Sequence, residues 1–214
     1  MVRVVMAFMV ALLVAHAVAA APSFLGFTGL LRVPTADTLN LNEFNVAWFN
    51  VDLAGGNENA YAANMGLRDG LEVGVLRSRV ERAEGETMLN VKYRIQPETP
   101  AHAGLAVGVF DPTNEVESTA YFVASKAITK TGAVFGDTVT AVRVHVGAGG
   151  GALDGVFAGA SAVVGKRLLL AAEYDTHDVN LGGGLDFGGG VRGHVAWLNQ
   201  LQDLGVGLSY NKMF

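Results

Sequence analysis

Across residues 43–214 the chain alternates between apolar and polar residues in runs of about 9–11, which Gly, Asp, Asn or Pro separate. Alternation with a period of two places successive side chains on opposite faces of a β-strand. In the clearest run, residues 87–95, one face carries Leu89, Val91, Tyr93 and Ile95, and the other carries Asn90, Lys92 and Arg94. No stretch sustains the 3.6-residue apolar period of a helix. The pattern therefore predicts about 12 strands and almost no helix.

The last of these strands ends at the C-terminus, with Val206, Leu208, Tyr210 and Phe214 on one face. Such a strand has an unpaired edge, and a closed barrel removes that edge by pairing the last strand with the first. The pattern resembles the C-terminal signal of bacterial outer-membrane barrels, although Lys212 stands where that signal usually has an apolar residue. The resemblance implies the barrel-assembly machinery as a partner.

The two faces of the strands differ in chemistry. One carries Val, Leu and aromatic residues, whereas the other carries small residues and nearly all the charge borne by the strands. An even strand number and long strands are typical of membrane barrels. We therefore predict an all-β fold, a closed antiparallel transmembrane β-barrel of about 12 strands of the outer-membrane type, with membrane lipid around it. The alternative is a soluble periplasmic β-barrel with its apolar face inward, binding an apolar ligand.

The N-terminus has the features of an export signal. Arg3 precedes an apolar run at residues 4–14, and Ala17 and Ala19 form a small-x-small cleavage site. We predict a signal peptide at residues 1–19, a lead-in segment at 20–42 that crosses the periplasmic mouth or enters the lumen, and a barrel at 43–214. The predicted location is the outer membrane of a diderm bacterium.

Composition narrows the function classes. Charged residues make up only 16% of the chain and 28 residues are Gly, as suits a wall that faces lipid on alternate residues. The net charge of −5 argues against a nucleic-acid partner. No cysteine is present, which excludes a thiolate metal site and a cysteine nucleophile. We predict no cofactor.

Polar residues of the inward face define a candidate lumen site that could contact a solute. Its members are Glu72, Asn90, Lys92, Arg94, Lys126, Arg143, His145, Glu173, Asp175, Arg192 and His194. One interpretation is a charged constriction that selects a polar solute, and the other is a salt-bridged filling that stabilises the barrel. The two histidines and Glu173 could bind a metal only beside Arg143 and Arg192, whose charges disfavour it, so no metal site is predicted.

Aromatic residues near the strand ends are predicted to anchor the barrel at the membrane interfaces, with a carbohydrate-stacking platform as the alternative. They are Trp48, Tyr61, Tyr93, Tyr121, Tyr174, Trp197 and Tyr210. In residues 118–128, Tyr121 and Val123 are assigned to the outward face and Lys126 to the inward face.

The chain has no G-x-S-x-G motif, so we predict no enzyme activity.

The lead-in at residues 26–44 resembles the start of the YjbH-like family of outer-membrane barrels, which are associated with exopolysaccharide production. Gly26, Gly29, Leu30, Pro34, Thr35 and Ala36 match its G-x-x-G-L-x-x-x-P-T-A pattern, and residues 90–95 and 173–180 are similar to a strand and an acidic turn of that family. The resemblance implies an accessory role in exopolysaccharide export or surface assembly, with the polysaccharide or its export proteins as partners. A small porin-like diffusion channel or a purely structural barrel is the alternative function.

Overall fold

The computed structural model describes residues 21–128, 139–165 and 167–214. The predicted signal peptide therefore lies outside the described residues. Twelve strands follow the lead-in segment: β1 (Glu43–Leu53), β2 (Gly56–Arg68), β3 (Leu71–Val80), β4 (Glu86–Gln96), β5 (Gly104–Phe110), β6 (Thr119–Ala127), β7 (Val139–Gly149), β8 (Gly155–Val164), β9 (Leu168–Tyr174), β10 (Val179–Gly188), β11 (Val191–Leu198) and β12 (Asp203–Met213).

The strands form one closed antiparallel barrel in which each strand pairs with its neighbours in the chain. β1 pairs with β12 in a continuous register from Glu43 opposite Met213 to Asp52 opposite Leu204, which closes the sheet. This arrangement confirms the predicted fold class and strand number. The helical element found among the described residues is one 3₁₀ turn, Gly151–Leu153. No helix in the described ranges is long and apolar enough to cross a membrane.

The barrel has two rims. The terminal rim contains Glu43 and Met213, the two ends of the barrel sequence, together with tight connections such as 69–70 and 189–190. The distal rim contains the connections 54–55, 81–85, 111–118, 150–154, 175–178 and 199–202. The β1–β2 connection at residues 54–55 is the shortest on this rim.

The outer wall is a belt of large exposed hydrophobic side chains. Leu89, Val91, Leu170, Leu181 and Leu208 are among them, and each is more than a third exposed. Soluble domains bury such residues, whereas the lipid-facing band of an outer-membrane barrel exposes them. The alternative of a soluble barrel with an inward apolar face is therefore wrong for this chain.

The facing of β6 corrects one prediction. Tyr121 and Val123 point into the barrel and are buried, and Phe122 lies on the outer wall. Both faces of this strand are apolar, so alternation alone could not choose between them. The inward face is the one that also carries Thr119 and Ser125, both buried.

Candidate functional site: the lumen and the segment within it

The lumen contains residues 21–42, here called the lumen segment. Its main chain folds back on itself through short bridges that pair Pro22 with Thr28 and Gly29 with Pro34. Phe27 is 1% exposed, and Val33 and Leu39 are fully buried, although none of them belongs to a strand. A barrel of about 8 strands is filled by its own side chains, and a larger barrel leaves room for a channel or a plug. In this barrel of 12 strands the segment occupies that room.

Aromatic contacts fix the apolar side of the lumen segment. Phe24 packs on Phe49 of β1 with ring centroids 4.6 Å apart. Phe27 contacts Phe110 of β5 at 5.7 Å and Tyr121 of β6 at 5.8 Å. Tyr121 was predicted to be a membrane-interface anchor, and this prediction is wrong because its ring is 5% exposed and packs on the segment. These contacts place an apolar cluster between the segment and the wall.

Small residues of the wall make room for the segment. A Cβ atom added at Gly66 would lie 1.9 Å from the carbonyl oxygen of Asn40, and one added at Gly159 would lie 2.5 Å from Leu30 Cδ1. A Cβ added at Gly205 would lie 2.6 Å from the Phe24 ring. The inward glycines thus allow the main chain and side chains of the segment to lie directly against the sheet.

Glu72 and Lys92 form a paired anchor for the segment. They are direct neighbours on β3 and β4, and both are fully buried. The Glu72 carboxylate accepts hydrogen bonds from Thr28 N at 3.0 Å, Thr28 Oγ1 at 2.5 Å and Leu39 N at 3.0 Å. Lys92 Nζ donates to the carbonyl oxygen of Thr28 at 2.5 Å. Buried charged groups need such hydrogen bonds to offset their desolvation, so the anchor depends on the segment.

Glu173 of β9 is the second anchor. Its carboxylate accepts hydrogen bonds from three successive main-chain N–H groups: Leu31 at 2.9 Å, Arg32 at 2.7 Å and Val33 at 3.3 Å. Asn180 Nδ2 donates to the same carboxylate at 3.1 Å. These donors satisfy the acceptor oxygens of a carboxyl group that the barrel has removed from water, so Glu173 and the main chain of the segment complete each other's hydrogen bonds.

Arg143 of β7 holds the end of the segment nearest the terminal rim. It forms a bidentate ion pair with Asp37, with Nη1–Oδ2 and Nη2–Oδ1 distances of 2.6 and 3.0 Å, and Nη2 also donates to Glu98 Oε2 at 2.8 Å. Glu98 lies in the 97–103 connection between β4 and β5. This cluster joins the segment, the wall and a rim connection in one network.

A buried relay of hydroxyl and imidazole groups lies beside that cluster. Ala36 N donates to Ser125 Oγ at 2.8 Å, and Ser125 Oγ lies 2.7 Å from His145 Nδ1. His145 Nε2 lies 3.3 Å from Ser161 Oγ. The lumen segment covers Ser125 and His145. The second ring nitrogen of His145 faces the Ser161 hydroxyl, whereas a catalytic triad would place a carboxylate there. We therefore assign these side chains the role of positioning Ala36.

At the distal rim Arg32 of the segment reaches two wall residues. Its Nη1 donates to Asn199 Oδ1 at 2.8 Å, and its Nε lies 3.8 Å from Asp175 Oδ2. Asp175 also accepts hydrogen bonds from the main-chain N–H groups of His177 and Asp178. The carboxylate of Asp175, the first residue of the acidic turn at residues 175–178, therefore holds that turn together.

The other predicted lumen residues bond to neighbours within the barrel wall. Asn90 Nδ2 donates to Asn64 Oδ1 at 3.0 Å, and Asn64 Nδ2 in turn donates to Gly26 O at 2.6 Å. Arg94 pairs with Asp69 at 2.7 Å on the terminal rim. Arg192 lies 3.7 Å from Asp186, and His194 Nε2 lies 2.8 Å from Ser209 Oγ.

Lys126 was predicted to line the lumen, and this prediction is wrong. It follows the outward alternation of β6, and its Nζ donates to the main-chain carbonyls of Thr99, Pro100 and His102 in the 97–103 connection. Six of the seven predicted aromatic anchors stand on the outer wall: Tyr61, Tyr93, Tyr174 and Trp197 are exposed, and Trp48 and Tyr210 are half-buried.

The C-terminal residues pack on the start of β1. The Phe214 ring stacks on Phe44 at 5.0 Å, and Phe214 N donates to Asn42 O at 3.1 Å. Tyr210 contacts Phe44 edge-on at 6.1 Å, while Val206 and Leu208 lie on the outer wall. Recognition of this end by assembly machinery stays a prediction.

Four residues that take part in the contacts around the segment were missed by the sequence interpretation. Asp37, Asn64, Glu98 and Ser125 contribute contacts as short as those of the predicted residues. Asn64 and Ser125 could have been found from the inward alternation of their strands, whereas Asp37 and Glu98 lie outside the strands and carry no periodic signal. Among the ranges that the structure describes, no group of three or more His, Cys, Asp or Glu side chains could hold a metal ion.

On the distal rim, Asp111 organises the 111–118 connection. Its carboxylate accepts hydrogen bonds from Glu115 N, Val116 N and Glu117 N and from the Thr113 hydroxyl. Burial raises the pKa of a carboxyl, but these donors outweigh it and hold the pKa of Asp111 below its usual value.

Comparison with known proteins agrees with this architecture. No family model and no curated protein sequence matches the chain. A solved structure described as "KdgM porin" matches with a TM-score of 0.54 at 9% sequence identity, over 79% of this chain and 99% of the porin. A structure described as "KdgM porin in complex with disordered oligogalacturonate" matches with a TM-score of 0.53 at 10% identity, over 80% and 99%. At this identity the likeness concerns the fold: the chain has a porin-like, closed antiparallel barrel of 12 strands.

Proposed function

We propose that this chain is a porin-like barrel of the outer membrane, that the lumen segment closes it, and that it passes polar solutes when the segment leaves the wall. The terminal rim then faces the periplasm and the distal rim faces the outside, as in single-chain barrels with an even strand number. The apolar outer belt and the fold shared with porins support the membrane location.

One observation carries the proposal. The anchors of the segment are charged wall residues that bind its main chain: Glu173 accepts from three successive N–H groups, and Glu72 and Lys92 bind both sides of Thr28. A permanent filling could be built from wall side chains packed on each other. Charged wall groups that bind a peptide can instead be solvated by water or by a polar solute when the peptide leaves.

An oligosaccharide is the solute class that we propose. Without the segment, the wall presents carboxylate acceptors at Glu72 and Glu173 beside cationic donors at Lys92 and Arg143. Hydroxyl groups both donate and accept hydrogen bonds, so a polyhydroxylated chain satisfies both kinds of wall group. The porin solved in complex with oligogalacturonate shows a saccharide bound to a barrel of this fold.

The test uses protein extracted from the outer membrane. A faster band for the unboiled sample than for the boiled sample is expected of a closed, detergent-resistant barrel. Proteoliposomes are then swollen in sugars of increasing length, and a Glu72→Gln/Glu173→Gln variant should admit them faster than the wild type because its segment is less firmly held. Glu58→Gln is the matched control, since Glu58 bonds to Ser78 of the wall and not to the segment. Equal swelling of all three proteins would count against a segment that closes the lumen.

A second candidate function is an accessory role in exopolysaccharide export or surface assembly, with membership of the YjbH-like family. It is favoured by the position of the motif, since Gly26, Gly29, Leu30, Pro34, Thr35 and Ala36 all belong to the lumen segment. A strain that lacks the gene should then lose surface polysaccharide, and the Glu72→Gln/Glu173→Gln variant should restore it only in part. Unchanged surface polysaccharide in the deletion strain contradicts this role and leaves the channel proposal intact.

A further inference from the structure

The outer wall carries an arginine patch near the distal rim, made of Arg77, Arg79, Asn59, Asn50 and Thr87. Arg77 and Arg79 alternate with the inward residues Leu76 and Ser78 of β3, so both point outward, and both are exposed. Two positions apart on one strand, they lie about 7 Å from each other along the wall. Closer to the terminal rim, the same face of β3 carries Val73 and Val75.

The patch lies at the level of an aromatic pair. Trp48 pairs with Tyr61 across β1 and β2, Tyr61 pairs with Arg77, and Arg77 pairs with Thr87 of β4. Trp and Tyr of a membrane barrel stand at the interface between the acyl chains and the headgroups. Arg77 therefore lies at headgroup level, and Arg79 lies one step farther out, next to Asn59.

The arginines of the patch have unused hydrogen-bonding capacity. Arg77 Nη1 donates to Thr87 Oγ1 at 2.7 Å, and Arg79 Nε donates to Ala83 O at 3.2 Å. Each guanidinium has five N–H donors, so most of them are left for another acceptor. In the described part of the chain no carboxylate lies within ion-pair distance of either arginine, although Glu81 and Glu84 belong to the adjoining connection.

The neighbouring wall supplies further polar groups. Asn59 Oδ1 accepts hydrogen bonds from Trp48 Nε1 at 3.4 Å and from Asn50 Nδ2 at 3.3 Å. Across the closure of the barrel the same levels hold Leu208 opposite Trp48 and Val206 opposite Asn50. The wall thus changes from an apolar surface on β12 to a cationic, amide-rich surface on β1 to β4.

We propose that the arginine patch binds the phosphate groups of a glycolipid in the outer leaflet of the membrane, with the acyl chains lying on the apolar wall below it. This inference rests on the proposed outer-membrane function and goes beyond it. Guanidinium groups match phosphate oxygens in geometry and charge, and the exposed apolar residues Val46, Tyr61 and Leu89 provide the surface for the acyl chains.

The test is native mass spectrometry of the full chain in detergent with three probes: bis-phosphorylated lipid A, the same lipid after enzymatic removal of both phosphates, and inorganic phosphate. The wild type should bind the phosphorylated lipid at least about tenfold more tightly than the dephosphorylated one. Arg77→Gln/Arg79→Gln should abolish that preference, and Arg79→Gln alone should reduce it. Arg68→Gln/Arg167→Gln, on exposed arginines at the terminal rim, should leave it unchanged.

Equal affinity of the wild type for the two lipids overturns the proposal, as does a preference that survives in the double variant. If inorganic phosphate at millimolar concentration displaces the phosphorylated lipid from the patch, the patch is a site for free anions, and this result also overturns the proposal. Comparison of boiled and unboiled bands for every variant shows whether the barrel has folded. Should the double variant fail to fold, the wild-type preference and the single variant still decide. A wild type without a faster unboiled band contradicts the proposed membrane function separately from this lipid site.

Discussion

Asp37 and Arg143 form a bidentate ion pair between residues that are 106 positions apart in the chain. One partner belongs to the lumen segment and the other to β7, so the pair connects the closing element directly to the barrel wall. The Arg143 side chain is 11% exposed and that of Asp37 is 31% exposed. Breaking the pair leaves the largely buried Arg143 with Glu98 as its remaining carboxylate partner and removes the link to the segment, which makes it a suitable place to weaken the closed state.

Asp37→Asn should therefore increase the fraction of time that the barrel is open. The loss of the pair is expected to cost about 2 kcal/mol, which corresponds to a factor of about 30 in the ratio of open to closed states. Single-channel recordings measure that ratio. Because Arg143→Gln removes the same contact, the free-energy change of opening in the double variant should be smaller than the sum of the changes in the two single variants. Arg94→Gln is the control, since Arg94 pairs with Asp69 of a wall turn, and an unchanged ratio in Asp37→Asn would contradict the prediction.

Glu173→Gln should loosen the middle of the lumen segment. The amide side chain keeps one acceptor oxygen, but its NH2 group cannot accept from the main-chain N–H groups that the second carboxylate oxygen binds. We expect exchange of the Leu31 and Arg32 amide hydrogens to become about 10–100 times faster, as measured by hydrogen–deuterium exchange in detergent. Glu58→Gln, at an inward glutamate that bonds to Ser78, should leave those amides protected. Unchanged protection in Glu173→Gln would show that this carboxylate does not hold the segment.

Gly66→Ala should displace the part of the segment that leads into β1. Its Cβ would stand 1.9 Å from Asn40 O, so the main chain at residues 39–42 has to move. A clash of this kind costs about 1–3 kcal/mol, and the urea concentration at which the fast-migrating band disappears should fall accordingly. Gly55→Ala provides the comparison because no atom lies within 4 Å of the added Cβ. A midpoint that is the same in both variants would count against the close approach of segment and wall.

The strands could be predicted from the sequence because period-two alternation is a local property. Closure of the barrel could also be predicted, because the edge of the C-terminal strand needed a partner, and β1 is that partner. Alternation did not identify the inward face of β6, because Tyr121 and Phe122 are both large and apolar. There the contact with Phe27, far away in the chain, decides the orientation.

The site could be predicted only on the wall side. Glu72, Lys92 and Glu173 were expected inside because their strands alternate clearly, but their partners were not expected. The partners are main-chain groups of an aperiodic segment, and Leu31 lies 142 positions from Glu173. Main-chain N–H groups are the same in every residue, so no side-chain pattern identifies which of them a carboxylate will bind.

The order of the 111–118 connection should depend on pH. Because the folded chain lowers the pKa of Asp111, its ionised carboxylate contributes stability above the unfolded pKa, near 3.9, and that stability is lost as the pH falls through the lowered folded value. The amide resonance of Val116 should therefore keep its position from about pH 7 to pH 5 and move below about pH 4. Asp111→Asn should remove this titration from an NMR series, and a Val116 shift that titrates identically in both proteins would argue against it.

The central claim, that residues 21–42 close the lumen, is tested most directly by locking the segment to the wall. The Cβ of Ala36 lies 3.4 Å from a Cβ placed on Gly104 of β5, close to the separation of a disulfide, and the chain has no other cysteine. Single-channel conductance of the Ala36→Cys/Gly104→Cys variant should be absent when oxidised and should appear on reduction, and neither single variant should respond to the reductant. Steady conductance in the oxidised protein, or none in either state, would contradict closure by the segment.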